Sequence, residues 1–332
     1  MTAISVLGTG SWGTALANVL LDNGHDVMMW GRSQTVAAHL AADKRNPDYL
    51  PDIRLNDNMT ATTDINQAVS HADVLIVAVP TQAMRDVCQQ IDSVATKPKT
   101  VIHVSKGLEP KSFKRISEII EEEIDQSHLK GVGVLSGPSH AEEVAKRQPT
   151  TVAIASNDGS IRKLGQDLFM CDYFRVYTND DLIGVEIGGA LKNIIALAAG
   201  LSDGLGYGDN AKAALMTRGL AEITRLGVKM GADPMTYLGM AGLGDLIVTC
   251  TSVHSRNWRC GEMLARGLTL EETLERMGMV VEGVRTTQAA YEMASAYGVE
   301  MPITGALYDV LFNKGPVEEN VKALMNRQKT NE

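Results

Sequence analysis

Residues 4–24, ISVLGTGSWGTALANVLLDNG, decide the fold. The first four form a short apolar run of the kind a buried parallel strand shows, and residues 12–23, ended by Gly24, read as an amphipathic helix. Between them stands Gly8-Thr9-Gly10-Ser11-Trp12-Gly13, a GxGxxG that follows a strand and opens a helix. In such a turn Gly8 allows the tight bend, Gly10 lets backbone approach a pyrophosphate, and Gly13 lets helix and strand pack closely. The helix N-terminus adds free N–H groups and positive potential, both favourable to phosphate. Glycines also mark plain turns, but strand, motif and helix in this order predict dinucleotide binding.

Further apolar runs of four to six residues follow at 27–30, 74–79, 100–104 and 132–135, each bounded by Gly, Pro, Asp or Ser. Residues 82–94 and 112–124 read as helices between them. Alternation of this kind predicts an α/β fold, a Rossmann-like, doubly wound, mainly parallel sheet with right-handed crossovers. Residues 151–155 and 173–176 extend that sheet. After about Asn179 the texture changes: 182–200 is a long apolar helix, and the remainder is rich in Met, Ala and Leu with helical periodicity. The expected division is a dinucleotide-binding domain over 1–179 and an all-helical, substrate-binding C-terminal domain over 180–332.

A length of 332 residues suits two domains, and 44% hydrophobic with 21% charged residues is a globular composition. Against 40 acidic side chains stand 31 basic ones, a formal charge of -9. No basic surplus is available to displace counterions, which argues against a sequence-independent nucleic-acid binder. The apolar runs at 74–79 and 194–199 fall short of the ~20 residues a membrane span needs, and the N-terminus lacks the basic region of a signal peptide. Cys88, Cys171, Cys250 and Cys260 show no CxxC spacing and the histidines no paired metal spacing. A cytoplasmic protein with reduced thiols, no structural metal and no membrane insertion is expected.

Several polar residues stand where chemistry is expected. About twenty residues past the glycine turn, where NAD-specific sites carry a carboxylate, the chain reads Trp30-Gly31-Arg32-Ser33. Arg32 can bind a 2′-phosphate or lie against adenine, so the site should accept NADP without excluding NAD; a solvated arginine is the alternative. Lys106, in Ser105-Lys106-Gly107, follows the carboxyl end of a strand, where ligands of such sheets lie, though an exposed loop lysine would look the same. Lys192 lies in the apolar run EIGGALKNIIALAAG (186–200), whose only other charge is Glu186. An unpaired lysine there is desolvated, which lowers its pKa from about 10.4 and makes a proton carrier of it; the bland alternative is a chain that snorkels to the helix edge. Gly188 and Gly189 are tolerable in that helix if something approaches its backbone closely. Asp245 sits between a glycine-rich turn and an apolar run. Ser255-Arg256-Asn257 offers a hydroxyl, a guanidinium and an amide to a phosphomonoester, with helix capping by Ser255 or Asn257 as the competing use. His140 reads as structural, and Glu121-Glu122-Glu123 as a solvated helix face.

Taken together, GTGSWGTALA (8–17), VAVPTQ (77–82), SKGLE (105–109), GPSHAEEVA (137–145), EIGGALKNIIALAAG, GLGDLIVTCTSVHSRN (242–257) and VVEGVRT (280–286) resemble the bacterial-type NAD(P)-dependent glycerol-3-phosphate dehydrogenases. The likeness runs nearly end to end. It implies cofactor contacts at Ser11, Trp12, Arg32 and Lys106, with Ala141, Arg256, Val280 and Glu282 added from other segments. The implied substrate set is Lys106, Gly137, Ser139, Lys192, Asp245, Ser255, Arg256 and Asn257, supported by Asn193 and Thr249. By the same resemblance Lys192 is the proton acceptor of glycerol phosphate oxidation, Lys106 and Asp245 act with it, and the protein is a homodimer. The implied reaction interconverts dihydroxyacetone phosphate and sn-glycerol 3-phosphate for glycerophospholipid synthesis, with NADP or NAD and NADPH favoured by Arg32. A ketopantoate-type reductase shares this plan and a helical lysine; residues 255–257 favour a phosphate ester over its carboxylate substrate.

Overall fold

A computed structural model describes residues 1–328; the last four residues of the expected helical domain, 329–332, lie outside the described residues. The chain forms two compact units, Met1–Lys106 with Lys114–Glu186, and Gly107–Phe113 with the residues from Ile187 onward.

In the first unit, β1 (Ala3–Leu7), β2 (Asp26–Trp30), β3 (Thr60–Thr62), β4 (Val74–Val77), β5 (Lys99–His103), β6 (Leu129–Ser136), β7 (Thr150–Ala155) and β8 (Phe174–Asn179) form one sheet. Its order is β3-β2-β1-β4-β5-β6-β7-β8, and only the β6–β7 pair is antiparallel. The connecting helices are α1 (Ser11–Asp22), α2 (Gln34–Ala42), α3 (Ile65–His71), α4 (Met84–Val94), α5 (Ile116–Glu123), α6 (Ala141–Ala145) and α7 (Gly159–Phe169). Strand side chains alternate between two cores, as the two-residue repeat of a strand demands. Ile4, Val6, Val74, Ile76 and Ile102 enter one; Leu7, Leu75, Val77 and Val101 enter the other. Both faces are therefore buried, which is why these strands read as mostly apolar runs.

Some expected bounds move. The three-residue β3, Thr-Ala-Thr on the sheet edge, is too short to signal itself. Residues 78–79 leave β4 as the chain turns toward Pro80, and 112–115 are not helical, because α5 starts only after Arg115, whose N–H donates to Glu118 (2.8 Å). The glutamates at 122 and 123 are not merely solvated: both pair with Arg85, and Glu122 also with Lys114 (2.6 Å). A pin absent from the sequence reading is Glu186. Its buried carboxylate accepts from the Ser117 N–H (2.8 Å), the Ser117 hydroxyl (2.6 Å) and Arg115 (2.6 Å), and lies 3.2 Å from His103. Burial acts upward on this carboxyl, but His103, Arg115 and Ser117 outweigh it and hold Glu186 below the usual carboxylate range.

The second unit is helical. It takes up α8 (Leu182–Gly204) from Ile187 onward and contains α9 (Asp209–Lys229), α10 (Asp245–Thr251), α11 (Arg256–Ala265), α12 (Leu270–Met277), α13 (Glu282–Tyr297), α14 (Pro302–Phe312) and α15 (Val317–Met325). By length and composition α8 could cross a membrane, which corrects the expectation that no segment is long and apolar enough. Yet 89% of its most apolar window is buried inside the protein. Backbones touch where α8 meets α11: a Cβ at Gly200 would lie 1.9 Å from the Trp258 carbonyl oxygen, and one at Gly261 2.0 Å from that of Leu197. Glu222 of α9 closes the start of α14 by accepting from the N–H groups of Ile303 (2.6 Å) and Thr304 (3.2 Å).

Two stability measurements check this packing. A Cβ at residue 13 would lie 2.2 Å from the Gly8 carbonyl oxygen, so Gly13→Ala should lower the urea unfolding free energy by about 1–3 kcal/mol; an unchanged midpoint contradicts the close approach. Glu186→Gln should cost about 1.5–3 kcal/mol at pH 7, since it removes the charge from bonds to Arg115 and Ser117 and leaves Arg115 with Glu118 alone (3.2 Å). Because the folded-state pKa of Glu186 is depressed, its contribution is complete above the ordinary value of 4.5 and disappears as pH falls through the folded value. The gap between wild type and variant should therefore close in acid.

Candidate functional site

The turn from β1 to α1 is built by exclusion of side chains. Gly8 has φ +126°, and a Cβ there would lie 2.3 Å from the Ala78 carbonyl oxygen. Gly10, by contrast, faces space with nothing within 4 Å of its Cβ position, and it precedes α1 without any side chain capping the helix. Uncapped N–H groups at a helix start beside an open glycine are a phosphate cradle, so the residues present fit a dinucleotide. The Ser11 hydroxyl donates to the Tyr49 carbonyl (3.2 Å). Trp12 packs its ring on Phe174, centroids 6.5 Å apart, so its indole belongs to the core and its main-chain N–H is what remains on the turn. Arg32 is exposed two residues beyond β2.

Past β5, Lys106 is half-buried and its ammonium donates to the Gly137 carbonyl (3.2 Å), which also accepts from the Ser139 hydroxyl (2.9 Å). Gly137 has φ +148°, and a Cβ there would lie 2.9 Å from Val152 Cα, so no other residue fits. Lys106, Gly137 and Ser139 are thus brought together. Ala141 opens α6, a helix packed on α1, and His140 serves as the residue before it.

In the second unit, Asp245 opens α10 after a π-helical turn at Met240–Gly244, and Thr249 lies one turn on, on the same face. Lys192 is buried, and its ammonium donates to the Asp245 carboxylate and to the Thr249 hydroxyl (2.7 Å). The hydroxyl donates in turn to the Asp245 carbonyl (2.5 Å). The sequence leads one to expect an unpaired amine; the lysine is instead paired, so it is not isolated among apolar groups. What approaches the backbone at Gly188 is protein too, for a Cβ there would lie 2.7 Å from the Ala241 carbonyl oxygen.

Ser255 caps α11, its hydroxyl oxygen accepting from the Trp258 N–H (3.2 Å), which leaves the hydroxyl proton to donate. Buried Asn257 donates to the Asn193 side-chain oxygen (2.8 Å) and accepts from the Gly283 N–H (2.8 Å). The bond to Asn193 accounts for one of the two amide hydrogens of Asn257. Ser255 therefore has the capping use that competed with phosphate binding, whereas Asn257 lies inside α11 and braces Asn193 and Gly283 instead. Arg256, between them, is exposed on the first turn of α11. Val280 and Glu282 flank buried Val281 at the start of α13. Burial pushes the thiols of Cys88, Cys250 and Cys260 up to about 12, so none supplies a thiolate nucleophile.

One residue at the glycine turn had no signal in the sequence. Asn46, fully buried, reaches the turn from 37 positions away and donates to the Thr9 carbonyl (2.9 Å) and the Thr14 hydroxyl (2.8 Å). Only the folded chain brings it there.

Comparison with known proteins agrees with these features. Residues 3–162 match the family described as NAD-dependent glycerol-3-phosphate dehydrogenase N-terminus, and residues 181–322 match the corresponding C-terminus family. The chain is 68% identical over 332 residues, the full length of both, to a glycerol-3-phosphate dehydrogenase (NAD(P)+) of Macrococcus caseolyticus. It is 59% identical over 329 residues, 99% of each chain, to one of Staphylococcus epidermidis. The crystal structure of glycerol-3-phosphate dehydrogenase from Coxiella burnetii superposes with a TM-score of 0.93 at 36% identity, covering 98% of this chain and 99% of that one. Sequence blocks, sheet order and full-length identity converge, and the chain belongs to the NAD-dependent glycerol-3-phosphate dehydrogenase family.

Proposed function

We propose that this chain reduces dihydroxyacetone phosphate reversibly to sn-glycerol 3-phosphate with NADPH or NADH, in the cytoplasm, and so supplies glycerophospholipid synthesis. Full-length identity of 68% to a glycerol-3-phosphate dehydrogenase supports the reaction. The observation that carries the chemistry is the buried Lys192–Asp245–Thr249 cluster, an amine held by two partners on one helix face. We assign residues 1–179 to the dinucleotide and 180–332 to the substrate.

Gly8, Gly10, Ser11, Trp12 and Gly13 would hold the diphosphate on the turn and the start of α1, with Arg32 at the adenosine ribose. Ala141, Arg256, Val280 and Glu282 complete the cofactor contacts. When bound, the reduced nicotinamide supplies a hydride. The ketone carbon that takes it becomes tetrahedral, the carbonyl electron pair moves onto oxygen, and Lys192 donates a proton to that oxygen. Asp245 and Thr249 orient the ammonium for this transfer, and the reverse reaction returns the proton to the amine. Lys106 stabilises the developing negative charge, with Gly137 and Ser139 fixing its position. The protons left on Ser255 and Asn257, and the guanidinium of Arg256, bind the substrate phosphate. Remote binding energy of this kind holds the reacting carbon in place. A homodimer is part of the proposal; exposed Met235, Leu238, Ile247 and Val253 supply apolar surface for it.

Steady-state oxidation of NADPH and NADH with dihydroxyacetone phosphate, beside 2-oxo acids, tests the reading; turnover with the acids alone defeats it. Lys192→Ala should lower kcat about 10²–10⁴-fold with the fold retained, and a near-normal kcat removes Lys192 from the proton step. Arg32→Ala should weaken NADPH about tenfold while NADH changes little, as loss of one charge-assisted contact to a 2′-phosphate predicts. Equal losses for both cofactors contradict that contact.

A further inference from the structure

The Thr9 carbonyl oxygen accepts two hydrogen bonds from inside the protein, from Asn46 Nδ2 (2.9 Å) and from the Thr14 hydroxyl (3.4 Å). Asn46 Nδ2 spends its second hydrogen on the Thr14 hydroxyl oxygen (2.8 Å), closing a three-membered ring of donors and acceptors. Because the Thr9 carbonyl can only accept, the amide nitrogen of Asn46, not its oxygen, must face it. In a trans peptide the carbonyl and the following N–H point in opposite directions. A Thr9 carbonyl drawn onto Asn46 therefore aims the Gly10 N–H away from Asn46, and a Cβ at Gly10 would meet nothing within 4 Å.

We propose that Asn46 is a positioning residue that locks the Thr9–Gly10 peptide with its N–H presented to the dinucleotide phosphates. The inference rests on the cofactor reading above. Without the lock, the peptide is free to rotate and bring a carbonyl oxygen toward an anion. Asn46 is itself anchored. A single antiparallel bridge joins it to Leu50, and the Tyr49 carbonyl accepts from Ser11 at the head of α1. Farther along, the Asn56 N–H donates to Asn18 (2.7 Å) and its side chain to Asp22 (3.1 Å), while Leu50, Leu55 and Met59 are buried. Residues 46–59 thus form a strap along α1 that carries the lock at the end nearest the phosphates.

The test compares wild type, Asn46→Ala and Asn46→Asp by fluorescence titration with NADPH and by steady-state turnover of dihydroxyacetone phosphate. Asn46→Ala should raise both Kd and KM for NADPH about tenfold, as loss of a buried hydrogen bond predicts. The KM for the ketone should move less than about twofold, so that the loss falls on the cofactor. Asn46→Asp should lose more, because a carboxylate faces the Thr9 oxygen and adds negative charge under the phosphates. A folded Asn46→Ala protein whose NADPH Kd stays within about twofold of wild type overturns the proposal, even if its melting temperature falls. Should that variant not fold, Thr14→Val, which removes the bridging hydroxyl, must raise the Kd about threefold; an unchanged Kd is equally fatal. Wild type that binds no dinucleotide brings down the cofactor reading and this proposal together, whereas wild type that binds while the variants bind equally well brings down the lock alone.

Discussion

Three stretches of backbone meet at the β1–α1 turn more closely than any side chain allows, and the first unit is organised around that meeting. The Gly8 N–H donates to the Trp30 carbonyl (2.8 Å), the Ala78 N–H donates to the Leu7 carbonyl (2.8 Å), and the Ala78 carbonyl oxygen fills the place of a Gly8 Cβ. β1, β2 and β4 are fixed to one another there. Strand order also reverses at this point, β2 and β3 lying to one side of β1 and β4 onward to the other. In open α/β sheets, ligands bind outside the carboxyl ends of the strands at such a reversal. Gly13 then brings α1 down onto the turn, and the helix begins with no side chain to occupy its first N–H groups. Binding capacity here is a consequence of packing.

Burial of charge sets the second theme. Replacing a buried ion pair by apolar residues is often neutral or stabilising, so stability alone does not explain one. Glu186 with Arg115 and Ser117 ties the beginning of α8 to the start of α5, a bracing use. Lys192 with Asp245 and Thr249 joins α8 to α10, but there the amine also belongs to the residues assigned to proton transfer. An amine that must deliver a proton to one oxygen gains from being held at a fixed angle by fixed partners, and a helix face with Asp and Thr four residues apart supplies both.

Much of this was legible in the sequence, for identifiable reasons. Strands buried on both faces show as apolar runs, so β1, β2, β4 and β5 stand out near their observed positions, whereas Thr60–Thr62, polar and on the sheet edge, leaves no such mark. The glycine motif is visible because its residues are consecutive. Pairings between distant segments are not: Asn46 meets Thr9, Glu186 meets Ser117, and Lys192 meets Asp245 only in the folded chain. For that reason the lysine was expected to be unpaired although its partner was already singled out. Ser255 illustrates the converse, since the capping use weighed for it is observed and leaves its hydroxyl proton for donation, while the bracing bonds of Asn257 had no mark in the sequence.

The long apolar helix α8 has a consequence for the order in which the molecule is made. Its Lys192 waits for a counter-charge 53 residues downstream, and its Gly200 surface waits for α11. On the ribosome, synthesis at about 5–20 residues per second leaves this helix without its partners for several seconds. During that interval the nascent chain carries an apolar segment long enough to span a bilayer, interrupted by the charges of Glu186 and Lys192 and ended by Asp203.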